Sequence, residues 1–595
     1  MTSLNTSLLP LWDLSDLYAA PDCPELNLDF DRLESLSEKF IKTYKGKLST
    51  LQAPDILDSV TEYEIMEEII GRIMSYAGLL HAGNVLDMEI SKFHQACHER
   101  ITGVSTKLLF YTLEINRIEQ SRINGWLQQS TALARYGSWF ENIRQYGPHQ
   151  LEDRLEELLL EKSVAGRAAW IRLFDETMAD LKFDYMDPSS GRVTAIGTEQ
   201  ALDYLSDARA DRRKAAADCL STSFTKNIRL FSHITNTLAK DKEIEDRWRR
   251  FDDPTSSRHL SNRLEKQVVD ALVGAVKAAY PRLSHRYYRM KAKWFGKDRL
   301  DWWDRNAPLP NSNDKIYQWP DAVAIVLEAY NKFSPEMAKT GQKFFDNNWI
   351  DAPVRTGKSP GAFAHPTVPD VHPYLLLNYL GKSRDVMTLA HELGHGVHQI
   401  LAGPQGALLS ETPLTLAETA SVFGEMLTFR SLLAEEQDNH KRKNMIAGKV
   451  EDMLNTVVRQ VAFYDFETRV HAGRKNGELS ADDLGDIWMA VQAESLGDAI
   501  RLDDSYRTFW CYIPHFIHSP FYVYAYAFGD CLVNSLYATY QQRPDGFQDK
   551  YFDMLRAGGS LGHKELLKPF GLDAGKPEFW ATGLNMISDL IDEIE

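Results

Sequence analysis

The sequence predicts a large, mainly α-helical protein with a small β element just ahead of a histidine-bearing helix. Three observations carry that reading. Apolar residues recur at three- and four-residue spacing through long stretches, as in Ile65, Ile69, Ile70 and Ile73, which is the period of a helix with one buried face. A chain of 595 residues is too long for one small core, so several cores or one very large body with lobes are expected. Between Trp349 and Tyr379 the texture changes: Gly357, Pro360, Gly361, Pro366, Pro369 and Pro373 rule out a long helix and leave room for short strands.

The elements follow in order. Helical pattern runs from about Leu33 to Lys47 and from Val60 to about Arg122, then from Leu151 to Ala165 and from Thr198 to about Arg249. Between the last two, Phe183 to Ile196 reads as a hairpin turning at Pro188 and Gly191. A further helix from Ser257 to Phe295 is broken near Pro281, and proline and asparagine accumulate between Asp301 and Asn313. Helix resumes at Trp319 to Lys332 and again from Pro335. In the irregular segment Phe363 and Leu375 to Leu377 suit short strands, and helices then return almost to the end. A boundary near residue 200 separates an N-terminal helical region, 1–200, from a second region, 201–595, that carries the histidine-bearing helix, with interleaved lobes expected.

Composition narrows the function classes. The chain is 44% hydrophobic and 25% charged, ordinary values for a soluble globular protein. A formal charge of −17, from 84 acidic against 67 basic residues, lacks the basic footprint of a nucleic-acid binder. Five scattered cysteines without a CxxC pair predict free thiols in a reducing compartment. No basic-then-apolar leader opens the sequence and no run approaches 18 uncharged apolar residues, so neither a signal peptide nor a membrane span is expected and the cytoplasm is the expected location. Oligomeric state is left open.

The chemistry gathers on Met387-Thr388-Leu389-Ala390-His391-Glu392-Leu393-Gly394-His395-Gly396-Val397-His398-Gln399. Positions four apart on a helix share a face about 6 Å apart along the axis, so His391 and His395 can grip one ion from adjacent turns. Glu392 lies about 100° further round, poorly placed as a third ligand but well placed as a general base for water at the metal's open position. Asp385 is the expected N-cap and Gly403-Pro404 the stop, giving a helix of about 16 residues. The competing reading, two ordinary hydrogen-bonded histidines, is weakened by Gly394 and Gly396, since mid-helix glycine is tolerated where something approaches closely. His398 lies about 10.5 Å along the axis from His391, so it reads as a substrate-side neighbour or a packed residue.

Two histidines leave one protein ligand to find if water is to keep the fourth position. Glu411, Glu418 and Glu425 follow at seven-residue spacing on a second predicted helix, which Thr412 and Pro413 open. Glu418 leads because Leu414, Leu416 and Val422 flank it, and a carboxylate in apolar surroundings needs a counter-charge. Glu411 and Glu425 remain open, as does a solvated acidic stripe. Further on, His515, His518, Tyr522, Tyr524 and Tyr526 crowd one segment after Cys511. Tyrosine and histidine are suitable neutral donors for an oxyanion; a helix after Pro520 would turn Tyr522 and Tyr526 to one side and Tyr524 to the other. Plain aromatic packing is the alternative.

Gly381 through Asp385, the run Thr388 to His395, Pro413 to Ser421, and Pro520-Phe521-Tyr522-Val523-Tyr524-Ala525-Tyr526-Ala527-Phe528-Gly529 together resemble the oligoendopeptidase F branch of the thimet-oligopeptidase-like zinc metallopeptidases, the M3 family. The resemblance spans roughly residues 110 to 585. It implies a two-lobed helical body enclosing a deep channel, and one Zn²⁺ per chain held by His391, His395 and Glu418. It further implies Glu392 as general base, His515 with Tyr522 or Tyr526 at the oxyanion, and Gly361-Ala362-Phe363 lining the channel beside the substrate; His398 and Tyr524 are further substrate-side candidates by their place in the sequence. His518 lies close enough to His515 to compete for its place. The implied activity is hydrolysis of internal bonds in short peptides. A carboxypeptidase or dipeptidyl peptidase of the same type is the closest alternative, and the carboxypeptidase version would need a fixed cation such as Arg355 or Lys358 to bind a substrate C-terminus. A non-catalytic peptide-binding protein is the reading from another class. No nucleic-acid or membrane partner is expected.

Overall fold

The computed structural model describes residues 4–309 and 315–595. Part of the proline- and asparagine-rich stretch, 310–314, lies outside the described residues, as do the side chains of Glu157, Glu161 and Leu414. The elements that matter here are α1 (Pro24–Tyr44), α2 (Ala53–Gly83), α3 (Met88–Leu108), β1 (Phe183–Met186), β2 (Val193–Ile196), α4 (Ala210–Trp248), α5 (Ser256–Ser261), α6 (Trp319–Phe333), α7 (Pro335–Asp346), β3 (Ile350–Pro353), β4 (Phe363–His365), β5 (Tyr374–Tyr379), α8 (Ser383–Ala402), α9 (Leu414–Glu435), α10 (Val458–Arg474) and α11 (Tyr524–Gln542). The fold is mainly α with small strands, as the apolar periodicity predicts, and β1 pairs antiparallel with β2 from Phe183–Ile196 to Met186–Val193. The long helical stretch read from Val60 to Arg122 is several helices, the first break falling at Asn84, whose backbone N–H closes back on the His81 carbonyl. The Ser257–Phe295 stretch also breaks twice, near Pro281 and again between Ser261 and Lys266. Apolar period alone does not register such short breaks, because the buried face resumes on the other side of each.

The chain forms two compact units: Met1–Gly147, Asp314–Glu435 and Thr539–Leu572 make the first, and Pro148–Asn313, Glu436–Ala538 and Asp573–Glu595 the second. In the first unit α1, α2 and α3 pack together over a core that includes Phe30, Leu33, Phe40, Ile56, Ile73 and Tyr111. The same unit holds the irregular segment, which folds as a three-stranded sheet in the order β3-β5-β4. The central strand β5 is parallel to β3 and antiparallel to β4. Its residues Tyr374 to Leu376 are fully buried, which is why the run reads as uniformly apolar rather than alternating. In the second unit α4, 39 residues long, runs beside α10. Among the described residues no helix is long and apolar enough to cross a membrane, and all five cysteines are buried and unbridged.

Candidate metal centre

Helix α8 is set between α9, α7 and the β4–β5 edge of the sheet. Val386, Leu389, Ala390, Leu393 and Val397 are fully buried, an apolar stripe at helical spacing that fixes the helix's rotation and so the direction of its histidines. The helix starts at Ser383, and Asp385 is its third residue rather than its N-cap. From there Oδ2 of Asp385 accepts the backbone N–H of Lys382 and of Leu380, at 2.9 Å each. A carboxylate in the first turn satisfies the orphan donors by reaching back, with the same benefit as a cap from in front.

The two glycines have a structural reason. A Cβ on Gly394 would collide with the Ala420 carbonyl and lie 2.7 Å from Ser421 Cα, and one on Gly396 would stand 2.5 Å from the Phe344 ring. What approaches closely is therefore α9 on one side and α7 on the other. Tyr330 of α6 ties the arrangement together by donating from its hydroxyl to the Ala390 carbonyl at 2.5 Å.

That close approach brings the ligand candidates together. Nε2 of His391 lies 3.4 Å, and Nε2 of His395 lies 3.5 Å, from Oε2 of Glu418. Those separations are longer than a good N–H···O hydrogen bond of about 2.7–3.2 Å. They match the roughly 3.3–3.6 Å between neighbouring donors that sit 2.0–2.2 Å from one tetrahedral ion. Among the described residues this is the one trio of histidine, cysteine or acidic side chains with converging ligand atoms. Two nitrogens and one oxygen at this spacing fit zinc with a position left for water. Glu411 and Glu425 stand outside the trio. Glu425 instead places Oε2 at 3.3 Å from Nδ1 of His391, on the ring's far side from Glu418. Ser421 donates to the same Glu418 oxygen at 2.6 Å. Ser421 and the role of Glu425 were not assigned from the sequence, although both sit at helical spacing from Glu418.

The electrostatics are those of a pocket with more negative than positive charge. Burial lowers His391, but the Glu425 hydrogen bond and the Glu418, Glu392 and Glu425 charges outweigh it and raise the ring to about 9. Burial dominates at His395 and holds it below the usual range. Glu418 is pushed up by burial and pulled further down by His391, His395 and Ser421, ending low and ionised. Glu392 is 7% exposed. Burial raises its carboxyl to about 7, with Glu418 and Glu425 adding to the rise and His391 and the Ala364 N–H opposing it. Ala364 belongs to β4, and its carbonyl takes a bond from Gln399 of α8 at 3.5 Å, so the edge strand is tied to the histidine helix at both backbone groups. Gly361, just before this strand, has φ +79° and open space where a Cβ would be. His398 is buried, with Nε2 3.4 Å from the Thr412 hydroxyl, and burial lowers it to about 4.

The tyrosine segment lies in the second unit. Nε2 of His515 is 3.2 Å from the Tyr526 hydroxyl, and the Tyr522 and Tyr526 rings meet edge to face at 5.2 Å. His518 turns elsewhere and pairs with Asp175 at 2.8 Å. Tyr522 precedes the helix instead of belonging to it, since α11 starts at Tyr524. Its N–H bonds the Ser519 carbonyl at 3.0 Å, with Pro520 and Phe521 between them and Phe521 at φ +60°. This is the pattern of a type II turn, whose third position ordinarily takes glycine. A left-handed aromatic residue costs on the order of 1–2 kcal/mol. Tyr524 is buried on the other side, its hydroxyl bonded by Asn262 at 2.8 Å and by His259 at 3.1 Å.

Residues 204–586 match the sequence profile described as Peptidase family M3, and residues 114–183 match that described as Oligopeptidase F. Oligopeptidase PepF of Bacillus subtilis is 25% identical over 590 residues, covering 98% of this chain and 86% of its own. Among solved structures, a putative peptidase from Chlamydophila abortus superposes with a TM-score of 0.82 at 23% identity, covering 99% of this chain and 100% of the other. Oligoendopeptidase-F from Enterococcus faecium does so with a TM-score of 0.71 at 20% identity, covering 96% and 99%. The chain belongs to peptidase family M3.

Proposed function

We propose that this member of peptidase family M3 is a zinc-dependent endopeptidase that cuts short oligopeptides at internal bonds, with its chemistry in residues 201–595. The observation that carries the reading is the near-tetrahedral spacing of His391 Nε2, His395 Nε2 and Glu418 Oε2, with Glu392 next to His391 on the same helix. Those three side chains would hold one Zn²⁺ per chain. When bound, the ion supplies a Lewis acid for the scissile carbonyl and acidifies a water.

The side chains do the rest. Glu392 accepts the proton of the attacking water and passes it to the departing amine; burial, which raises its carboxyl, brings its basicity close to what that double duty needs. Glu425, at Nδ1 of His391, holds that ring so that Nε2 is the atom offered for ligation. His515 with Tyr522 and Tyr526 supplies neutral donors for the oxyanion. Gly361, Ala362 and Phe363 offer backbone at the edge of a sheet, where an extended peptide can add a strand. His398 and Tyr524 are assigned to packing, because both are buried with their polar atoms engaged.

The carboxypeptidase alternative needs a cation free to bind a substrate C-terminus. Arg355 is held by both Asp351 oxygens, at 2.6 and 2.7 Å, and by the Gly83 carbonyl. Lys358 is buried against Asp351 Oδ1 at 2.7 Å and the backbone carbonyls of Asp351, Pro353 and Leu377. Neither is available, which supports internal cleavage. The relatives' names, oligopeptidase and oligoendopeptidase, support short peptides as substrates, and the unbridged cysteines support a cytoplasmic location. The test is incubation of the purified protein with peptides of graded length, with and without chelator, and mapping of the products by mass. Metal-dependent internal cuts are expected. Products trimmed solely from one end would replace this reading with an exopeptidase, and no cleavage by the zinc-loaded protein would favour a peptide-binding protein.

A further inference from the structure

The turn that carries Tyr522 has a feature its own sequence does not account for. In a type II turn the two central residues are joined by one peptide group, and rotating that group by about half a turn converts it to type I. The conversion would take Phe521 out of the left-handed region, from φ +60° to about −90°. Steric preference therefore favours the flip, and something in the second unit opposes it.

The opposing contacts fall on the two ends of that same peptide group. Its carbonyl, from Pro520, accepts a hydrogen bond from Nε of Arg258 at 3.1 Å. Its N–H, from Phe521, donates to Oε1 of Glu467 at 2.8 Å. Arg258 comes from α5 and Glu467 from α10, so a guanidinium and a carboxyl group that burial raises to about 8 hold one peptide in one orientation from two helices. A flip would break both bonds and point the N–H at the guanidinium, donor against donor. Glu467 is 2% exposed and its second oxygen, Oε2, is buried without a hydrogen-bond partner, so the Phe521 N–H is its specific engagement there. The Phe521 ring is fully buried between Tyr464 and His471, at 6.0 and 4.8 Å between ring centres. Both lie about one helical turn from Glu467 on α10, so a glycine here would free the backbone at the expense of that packing. Arg258 also lies over the Tyr522 ring, 5.7 Å from its centre.

We infer that Arg258 and Glu467 are positioning residues: they fix the flip of the Pro520–Phe521 peptide and thereby hold Tyr522 against His515 and Tyr526. The consequence for turnover rests on the proposed oxyanion role of that cluster; the consequence for the turn does not.

The experiment measures both in the zinc-loaded full chain. Glu467→Gln keeps an acceptor for the Phe521 N–H, whereas Glu467→Met keeps the bulk and removes it. Arg258→Gln releases the other end from a partly exposed position, and so serves if the buried methionine variant does not fold. 3-Fluorotyrosine incorporated at position 522 reports the turn by ¹⁹F NMR. In Glu467→Met and Arg258→Gln the ¹⁹F resonance is expected to shift or broaden, and kcat to fall by about 10-fold or more, with KM within about threefold and zinc content unchanged. Glu467→Gln is expected to keep the parental resonance and a kcat within about threefold of parent. An unmoved resonance in folded Glu467→Met, or in Arg258→Gln if that variant must serve, overturns the inference, as does a Glu467→Gln protein that behaves like Glu467→Met. A moved resonance with parental kcat leaves the clamp standing and removes Tyr522 from the proposed chemistry.

Discussion

Helices α8 and α9 in the first unit and the turn before α11 in the second each gather ionisable side chains at one point, but by different physics. In the helix pair, regular spacing does the gathering: His391 and His395 are one turn apart, and Glu418, Ser421 and Glu425 repeat along the facing helix. Gly394 on α8 lets the two backbones close until ligand atoms meet at 3.4 and 3.5 Å. At the turn no period helps. Tyr522 meets Tyr526 because one peptide is held in an orientation its own residues disfavour, by contacts 54 and 262 residues away in sequence. The first arrangement depends on the identity of its ligands and on the close helix contact that Gly394 permits, so removing a ligand should abolish it outright. The second depends on geometry and should respond in graded steps.

The largest effect should therefore come from removing a ligand. Glu418→Ala is expected to lose zinc measurably by elemental analysis, since a two-histidine site lacks the third ligand of a catalytic centre, and peptide hydrolysis should fall to background. Full zinc occupancy in that variant would move the ligand role to another acid and break the account of the helix pair. Next comes Glu392→Gln, which leaves the three ligands in place. Its zinc content should match the parent, while kcat falls by about 10²–10⁴-fold as the general base is lost. Near-parental turnover would remove Glu392 from that role. Smaller again is Tyr526→Phe, which deletes one donor from the turn cluster and should cost about 10–10³-fold in kcat with KM little changed. If its loss equalled that of Glu392→Gln, the graded behaviour assigned to the turn would be wrong.

The same contrast explains what could be read in the sequence. HExxH and the acid stripe were legible because metal ligation demands particular residue types, and helical period says which of them share a face. The sheet was legible as an interruption in texture, and its strand content from Leu375 to Leu377, though not its β3-β5-β4 order. Asp385 was misplaced by three positions because a carboxylate satisfies a helix start from either side. Gly394 and Gly396 announced close contact without saying that a helix and a phenylalanine make it. The tyrosines were read as one helical face, and they do meet, but from a turn. Phe521 hid that turn, since a buried aromatic residue at a left-handed position contradicts turn chemistry, and its supports, Arg258 and Glu467, carry no local signal.

The smallest expected effect separates the two regions by the pH window of a titration in the metal-free protein. His391 is raised to about 9 from an ordinary 6.5, so the folded chain binds that proton more tightly than the unfolded chain. The stabilisation is complete below about pH 6.5 and is lost as pH rises through 9. Glu392, raised to about 7, and Glu467 at the turn, raised by burial to about 8, slope the same way at lower pH, which leaves pH 8 to 9 as the window belonging to His391. His515 is lowered instead, by burial first and then by His518 and Arg459, so above pH 8 neither it nor Glu467 contributes a falling slope. Chelator-treated protein should lose Tm between pH 8 and 9. Zinc should abolish that slope, because ligation requires a neutral ring. Glu425→Gln should flatten it without zinc by removing the charge at Nδ1, and should weaken zinc binding by about 10–100-fold. Identical slopes in parent and Glu425→Gln would mean that the ring is not held from that side. The helix pair would then rest on its three ligands alone.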